Sequence, residues 1–142
     1  DNMIIFVCTG NTCRSPMAEG FYKAATGKDA QSFGLMCPEG VPASKNAVSA
    51  MEKFGIDIKD CTSRRITAEA AAAADEILCM TEEQKIMLTY AYPEYSEKIR
   101  LLSEAAGKKG NVADPFGGGE KTYLASAKEI KELVDGYIKL HG

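Results

Sequence analysis

The sequence holds a single histidine, His141, one residue from its end, and none of its cysteine pairs has C-x-x-C spacing. The ligand sets that usually hold structural zinc are missing, and no metal or other cofactor is expected. The cysteines are Cys8, Cys13, Cys37, Cys61 and Cys79, an odd count that argues against the disulfide framework of a secreted module. No apolar run is long enough to cross a bilayer, and the first, Met3 to Cys8, is too short for the core of a secretory signal. Excess basic charge is absent too. There are 17 Lys and Arg against 20 Asp and Glu, a net of −3, so neither nucleic acid nor a membrane is indicated as a partner. Internal repeats, low-complexity tracts and linker-like segments are also lacking. These absences leave a cytoplasmic globular protein whose 142 residues suit one domain over 1–142, most simply a monomer. Met3 reads as an initiator, with Asp1 and Asn2 ahead of it.

What is present alternates between two patterns. Met3-Ile4-Ile5-Phe6-Val7 is a short apolar run rich in β-branched residues, which reads as a strand buried on both faces. Turn chemistry follows at Thr9-Gly10-Asn11-Thr12. Ser15 and Pro16 then suit an N-cap and a first helical position, with Met17, Phe21 and Ala24 on the apolar face. A weak strand is predicted over Gln31 to Met36. The stripe Ala47, Val48, Met51 and Phe54, closed by Gly55, predicts the next helix. Thr67 suits the cap of an alanine-rich helix ending near Ala74. Glu76 to Met80 reads as a strand, and Thr81 with Gln84 forms a capping box that opens another helix, with Pro93 beyond its end. Lys98 to Leu102 is the last strand. After Phe116-Gly117-Gly118-Gly119, the stripe Tyr123, Ala127, Ile130, Val134, Tyr137 and Ile138 predicts a long amphipathic helix. Strands alternating with helices imply an α/β fold: a parallel sheet with helices on both faces. In such sheets the ligand crevice lies at the carboxyl ends of the strands, and the first strand ends at Cys8.

The segment Cys8-Thr9-Gly10-Asn11-Thr12-Cys13-Arg14-Ser15 joins that strand to that helix. A short loop curling into a helix N-terminus aims several backbone N–H groups at one point, which makes an anion site. Gly10 and Asn11 tolerate the left-handed backbone such a cradle needs. Arg14 brings a planar fork of donors matched to two phosphoryl oxygens. Cys8 lies at the floor of the same positive field, which favours a thiolate nucleophile. No lysine stands where a nucleotide-binding G-x-x-x-x-G-K-[ST] loop requires one. The plain alternative is a buried cysteine ending a strand beside an unrelated arginine. The strand before and the helix start after weigh against it.

Val7 to Glu19, VCTGNTCRSPMAE, resembles the signature of the low-molecular-weight protein phosphatase family, and Asp114-Pro115-Phe116-Gly117 resembles that family's acid loop. Length and element order are similar across essentially the whole chain. The resemblance implies a four-stranded parallel sheet with the phosphate-binding loop after the first strand. It also implies a phosphorylated protein or peptide as substrate. Cys8 is then the nucleophile and Arg14 the phosphate clamp, Asn11 holds the loop, Ser15 donates to the thiolate, and Asp114 is the general acid. Phosphate is bound by Thr9, Gly10, Asn11, Thr12, Cys13, Arg14 and Ser15. Many family members carry a histidine near the segment Cys61-Thr62-Ser63, supporting the loop asparagine. None stands there in this chain, so the loop's support is expected to differ.

Thr12 and the sequence Asp-Pro-Phe-Gly-Gly resemble the protein-arginine phosphatase branch. Thr12 leaves room and an oxygen near a guanidinium, Asp114 can accept from it in a bidentate manner, and Phe116 can pack on either leaving group. Phosphoarginine is therefore placed first, with phosphotyrosine as the alternative. An arsenate reductase of the same fold needs further cysteines, yet none follows Cys79 and position 86 is Ile86. A non-catalytic phosphoprotein-binding module would not need both Cys8 and Asp114. Cys8 and Cys13 are also a candidate redox pair, with Cys13 otherwise a packing residue. Cys79 reads as a small apolar group in a strand, and Cys37 and Cys61 as incidental. Tyr90, Tyr92 and Tyr95 read as an exposed cluster.

Overall fold

The computed structural model describes residues 3–141, so Asp1, Asn2 and Gly142 lie outside the described residues. The elements run β1 (Ile4–Cys8), α1 (Arg14–Thr26), β2 (Ala30–Gly34), α2 (Lys45–Glu52), α3 (Ala68–Ala73), β3 (Glu76–Cys79), α4 (Glu82–Ala91), β4 (Ile99–Leu101), α5 (Leu102–Ala105) and α6 (Glu120–His141), with a 3-10 turn over Pro93–Lys98 before β4. The four strands pair in parallel in the order β2-β1-β3-β4. The chain leaves β1 toward one side for β2 and returns to the other for β3. The carboxyl end of β1 is thus the point where the strand order reverses, and the crevice forms there.

Alternate residues of β1 feed separate cores because successive strand side chains point to opposite faces. Ile4, Phe6 and Cys8 pack with Met17 and Phe21 of α1, Met51 of α2 and Ile130 and Val134 of α6. Ile5 and Val7 pack with Phe33, Ile77, Leu88 of α4 and Ala71 of α3. Phe6, Met17, Leu78 and Ile130 are each completely buried. Each such side chain contributes roughly 1.5–3 kcal/mol relative to exposure. The cores hold the floor of the crevice rigid from both sides.

Most element starts follow their local chemistry. Thr67 caps α3 by accepting from the Ala70 N–H, and Thr81 with Gln84 makes the capping box at α4. α1 differs. It begins at Arg14 with Cys13 at the cap position, so Ser15 and Pro16 lie inside its first turn. The Ser15 hydroxyl is drawn instead to Cys8 and Asn11, and Pro16 fits because first-turn N–H groups have no helical partner. The apolar face of α1 includes buried Tyr22, while Ala24 is exposed. β2 occupies Ala30–Gly34, ahead of the predicted Gln31 to Met36. Leu102 opens α5 instead of closing β4, leaving β4 as a short edge strand. Tyr90 is 89% exposed, but Tyr92 and Tyr95 are half-buried against the second core.

Gly34 closes β2 opposite Cys8. A Cβ there would lie 2.7 Å from Cys37 Sγ, 2.9 Å from the Thr9 carbonyl oxygen and 3.1 Å from Asn11 Cβ. Only a glycine lets β2 end this close to the loop that follows β1.

Candidate active site

Cys8 ends the central strand and is almost fully buried. Its Sγ lies 2.9 Å from Ser15 Oγ and 3.3 Å from the Asn11 backbone nitrogen, whose N–H donates to it. Asn11 adopts φ 55°, the left-handed region that asparagine tolerates better than most residues. Both ends of its buried amide are engaged. Nδ2 donates to Ser15 Oγ at 2.9 Å and to Ser32 Oγ at 3.0 Å, while Oδ1 accepts the Arg64 N–H at 2.8 Å. Ser15 Oγ accepts from Asn11, and its one hydrogen has two partners in reach, Cys8 Sγ at 2.9 Å and the Phe33 carbonyl at 3.5 Å. The Arg64 guanidinium lies 4.6 Å over the Phe33 ring and holds that strand end in place. The segment around Cys61 to Arg64 therefore supports the loop asparagine through a backbone N–H, with no imidazole involved.

Arg14, the first residue of α1, is buried, and its Nη1 donates to the Val112 carbonyl at 2.8 Å. Its Nη2 lies 3.7 Å from Asp114 Oδ2, whose side chain is 54% exposed. The Asp114 Oδ1 accepts the Phe116 N–H at 3.1 Å, a local turn that orients the carboxylate. Val112 anchors this second loop, its N–H donating to the Met80 carbonyl at 2.9 Å. A turn from Pro115 to Gly118, with Gly117 at φ 85°, brings Phe116 to the rim, 78% exposed.

Every residue from Cys8 to Arg14, with Asp114 and Phe116, lines one cavity of about 220 Å³. No acceptor among the described residues takes up the backbone N–H groups of Thr12, Cys13 or Arg14. A helix N-terminus with such donors attracts an anion. The site brings together an anion cradle, a buried thiol, a guanidinium and a carboxylate at the mouth.

Ser15 stands apart from the other predicted phosphate-loop residues. It lies behind Cys8 and does not line the cavity. Thr12 is half-buried on the wall. Cys13 is a free thiol, as is Cys8, and its Sγ contacts Ser44 Oγ at 3.5 Å and the Tyr123 hydroxyl at 3.4 Å. Burial, then the bond to Cys13, pushes the Tyr123 hydroxyl's pKa up. Cys79 is fully buried, and burial pushes its thiol up to about 12, which keeps it inert. Cys37 is buried beside Gly34 and Cys61 is half-buried. Sequence reasoning missed Ser32, Gly34, Ser44 and Arg64, which reach the loop only through tertiary contacts. Gln84, whose capping box with Thr81 the sequence predicts, also donates to Thr9 Oγ1, a contact with no local signal.

Residues 3–140 match the family described as low molecular weight phosphotyrosine protein phosphatase. A protein-arginine-phosphatase of Geobacillus stearothermophilus is 37% identical over 135 residues, covering 93% of this chain and 90% of that protein. A low molecular weight protein tyrosine phosphatase structure from T. tengcongensis superposes with a TM-score of 0.93 at 41% identity, covering 99% of each chain. The YwlE arginine phosphatase structure, a cysteine-to-serine mutant with a phosphorylated active-site serine, superposes with a TM-score of 0.93 at 34% identity. It covers 97% of this chain and 94% of its own.

Asn11→Ala tests the loop's support. It leaves the Arg64 N–H and the Ser15 and Ser32 hydroxyls without their partner and places alanine in a left-handed conformation. The expected loss is about 1–3 kcal/mol of stability by urea unfolding. Anion affinity, measured calorimetrically with phosphate, should fall more than stability alone accounts for.

Proposed function

The chain belongs to the low-molecular-weight phosphotyrosine protein phosphatase family, and on that premise we propose that it hydrolyses phosphoproteins through a phosphocysteine intermediate, with phosphoarginine the preferred substrate. The observation that carries this reading is the cavity floor, where the Cys8 sulfur accepts the Asn11 N–H and lies in hydrogen-bond contact with the Ser15 hydroxyl beneath an N–H cradle. A thiolate there attacks phosphorus in line with the leaving group. The loop N–H groups and the Arg14 fork take up the charge spread over the phosphoryl oxygens.

Asp114 stands at the cavity mouth, where a leaving atom would emerge. In the first step it gives its proton to that atom as the P–N or P–O bond breaks. In the second, as carboxylate, it takes a proton from the water that attacks phosphocysteine. Inorganic phosphate leaves and the Cys8 thiolate is restored. The phosphorylated active-site serine that replaces a cysteine in the YwlE mutant supports a covalent step on an active-site cysteine.

Thr12 and Asp114 support the arginine preference. The half-buried Thr12 keeps the wall small and polar beside a guanidinium, and the exposed Asp114 oxygens can accept from its N–H groups. The relative named protein-arginine-phosphatase agrees with this. The second reading is phosphotyrosine. It is favoured by Phe116, an exposed aromatic at the rim that could stack on a phenol ring.

Side-by-side kcat/KM values for phosphoarginine and phosphotyrosine peptides test the preference. The wild type should favour phosphoarginine, and Thr12→Ile should move the ratio toward phosphotyrosine. An unchanged ratio would return Thr12 to a tolerated loop residue. Asp114→Asn should slow both peptides by about 10²- to 10⁴-fold, but an activated aryl phosphate much less, because its leaving group needs little protonation. Equal losses for all substrates would remove the acid role.

A further inference from the structure

The capping box of α4 reaches into the phosphate loop. Gln84 is 3% exposed, and its Oε1 accepts the Met80 N–H at 2.9 Å and the Thr81 N–H at 3.1 Å. Two donors on one oxygen settle which end of the amide is which. The amino end therefore faces away from the cap, and Nε2 donates to Thr9 Oγ1 at 3.1 Å. Helix capping does not need this bond. The Gln84 N–H is already served by the Thr81 hydroxyl at 3.2 Å.

Thr9 follows Cys8 directly and lines the same cavity. Its carbonyl is held by the Met36 N–H at 3.1 Å, so the rotation of its side chain is the freedom left to fix. A hydroxyl has one hydrogen and two acceptor positions. Gln84 fills one acceptor position, and the hydrogen is left to donate. We propose that Gln84 is a positioning residue that holds the Thr9 hydroxyl as a fixed donor to a phosphoryl oxygen in the cavity. This rests on the reading of the loop as a phosphoryl site and adds a side-chain donor, set from α4, to its backbone N–H groups. A donor fixed in advance needs no reorganisation as charge spreads over the phosphoryl oxygens.

Gln84→Glu reverses this one bond and spares the rest. A glutamate at that position suits a capping box and can still accept the Met80 and Thr81 N–H groups. Its second carboxylate oxygen has no hydrogen, so the Thr9 hydroxyl turns to donate to it and the cavity loses its donor. Both kcat/KM for an aryl phosphate and the affinity for inorganic phosphate should fall about tenfold, the scale of one hydrogen bond to a charged group. Both should return toward wild type as pH falls and the introduced carboxyl becomes protonated. Thr9→Val should lose about as much, and Gln84→Glu added to Thr9→Val should cost nothing more. A bare charge effect of the carboxylate would persist in the Thr9→Val background, and finding that would overturn the proposal. So would wild-type phosphate affinity in Gln84→Glu at every pH. Thermal unfolding of each variant separates a lost donor from a lost fold. Phosphate binding does not depend on turnover. A wild type that binds phosphate and shows this pattern, yet hydrolyses nothing, would sink the proposed reaction and leave the Gln84–Thr9 contact standing.

Discussion

A loop that offers its backbone N–H groups to an anion cannot spend those groups on holding its own shape. The loop after β1 meets this constraint with the side chain of Asn11. That amide ties the left-handed turn to Ser15 ahead of it in the chain, to Ser32 on β2 and to the backbone at Arg64. The donors facing the cavity are left for a ligand. The Asn11–Ser15 bond also holds the Ser15 hydroxyl 2.9 Å from Cys8 Sγ, so the tie that shapes the loop places a polar neighbour against the thiol at its floor.

The surrounding elements serve the same end. Placing β1 in the middle of the sheet puts Cys8 at the point where strand order reverses, with β2 on one side and β3 on the other. Gly34 lets β2 end against the loop. On the opposite wall, the first turn of α2 joins both functional loops. Ser44 donates its N–H to the Thr12 carbonyl at 2.9 Å, and Asn46 Nδ2 reaches the Gly118 carbonyl at 3.4 Å. Arg14 links them again through Val112 and Asp114. The loop after β1 and the loop that carries Asp114, about a hundred residues apart, are thus held by shared neighbours.

What could be read from the sequence was what local chemistry decides. β1 and β3 were legible as short apolar runs, α4 from its capping box, and α6 from its buried stripe of Tyr123, Ala127, Ile130 and Val134. The loop after β1 could be read as an anion site because its residues are contiguous and each suits an anion. Asp114 came from a short motif whose weight depended on that loop. Local rules failed where a tertiary partner outbid them. Ser15 looked like a cap until Cys8 and Asn11 claimed its hydroxyl, and Leu102 looked like strand until it turned into α5. Ser32, Gly34 and Arg64 had no local signal at all. Their importance lies in contacts with residues 21 to 53 positions away in the chain, which composition and periodicity do not report.

The proposed reaction passes a phosphoryl group through the Cys8 sulfur. Rapid quenching of the wild type with an aryl phosphate, followed by mass spectrometry of the peptide containing Cys8, tests it most directly. A phosphoryl adduct on Cys8 is expected, forming and decaying fast enough to carry turnover. Cys8→Ser is expected to turn over no substrate while still binding phosphate. Turnover without an adduct on Cys8, or turnover near wild type by Cys8→Ser, would contradict it.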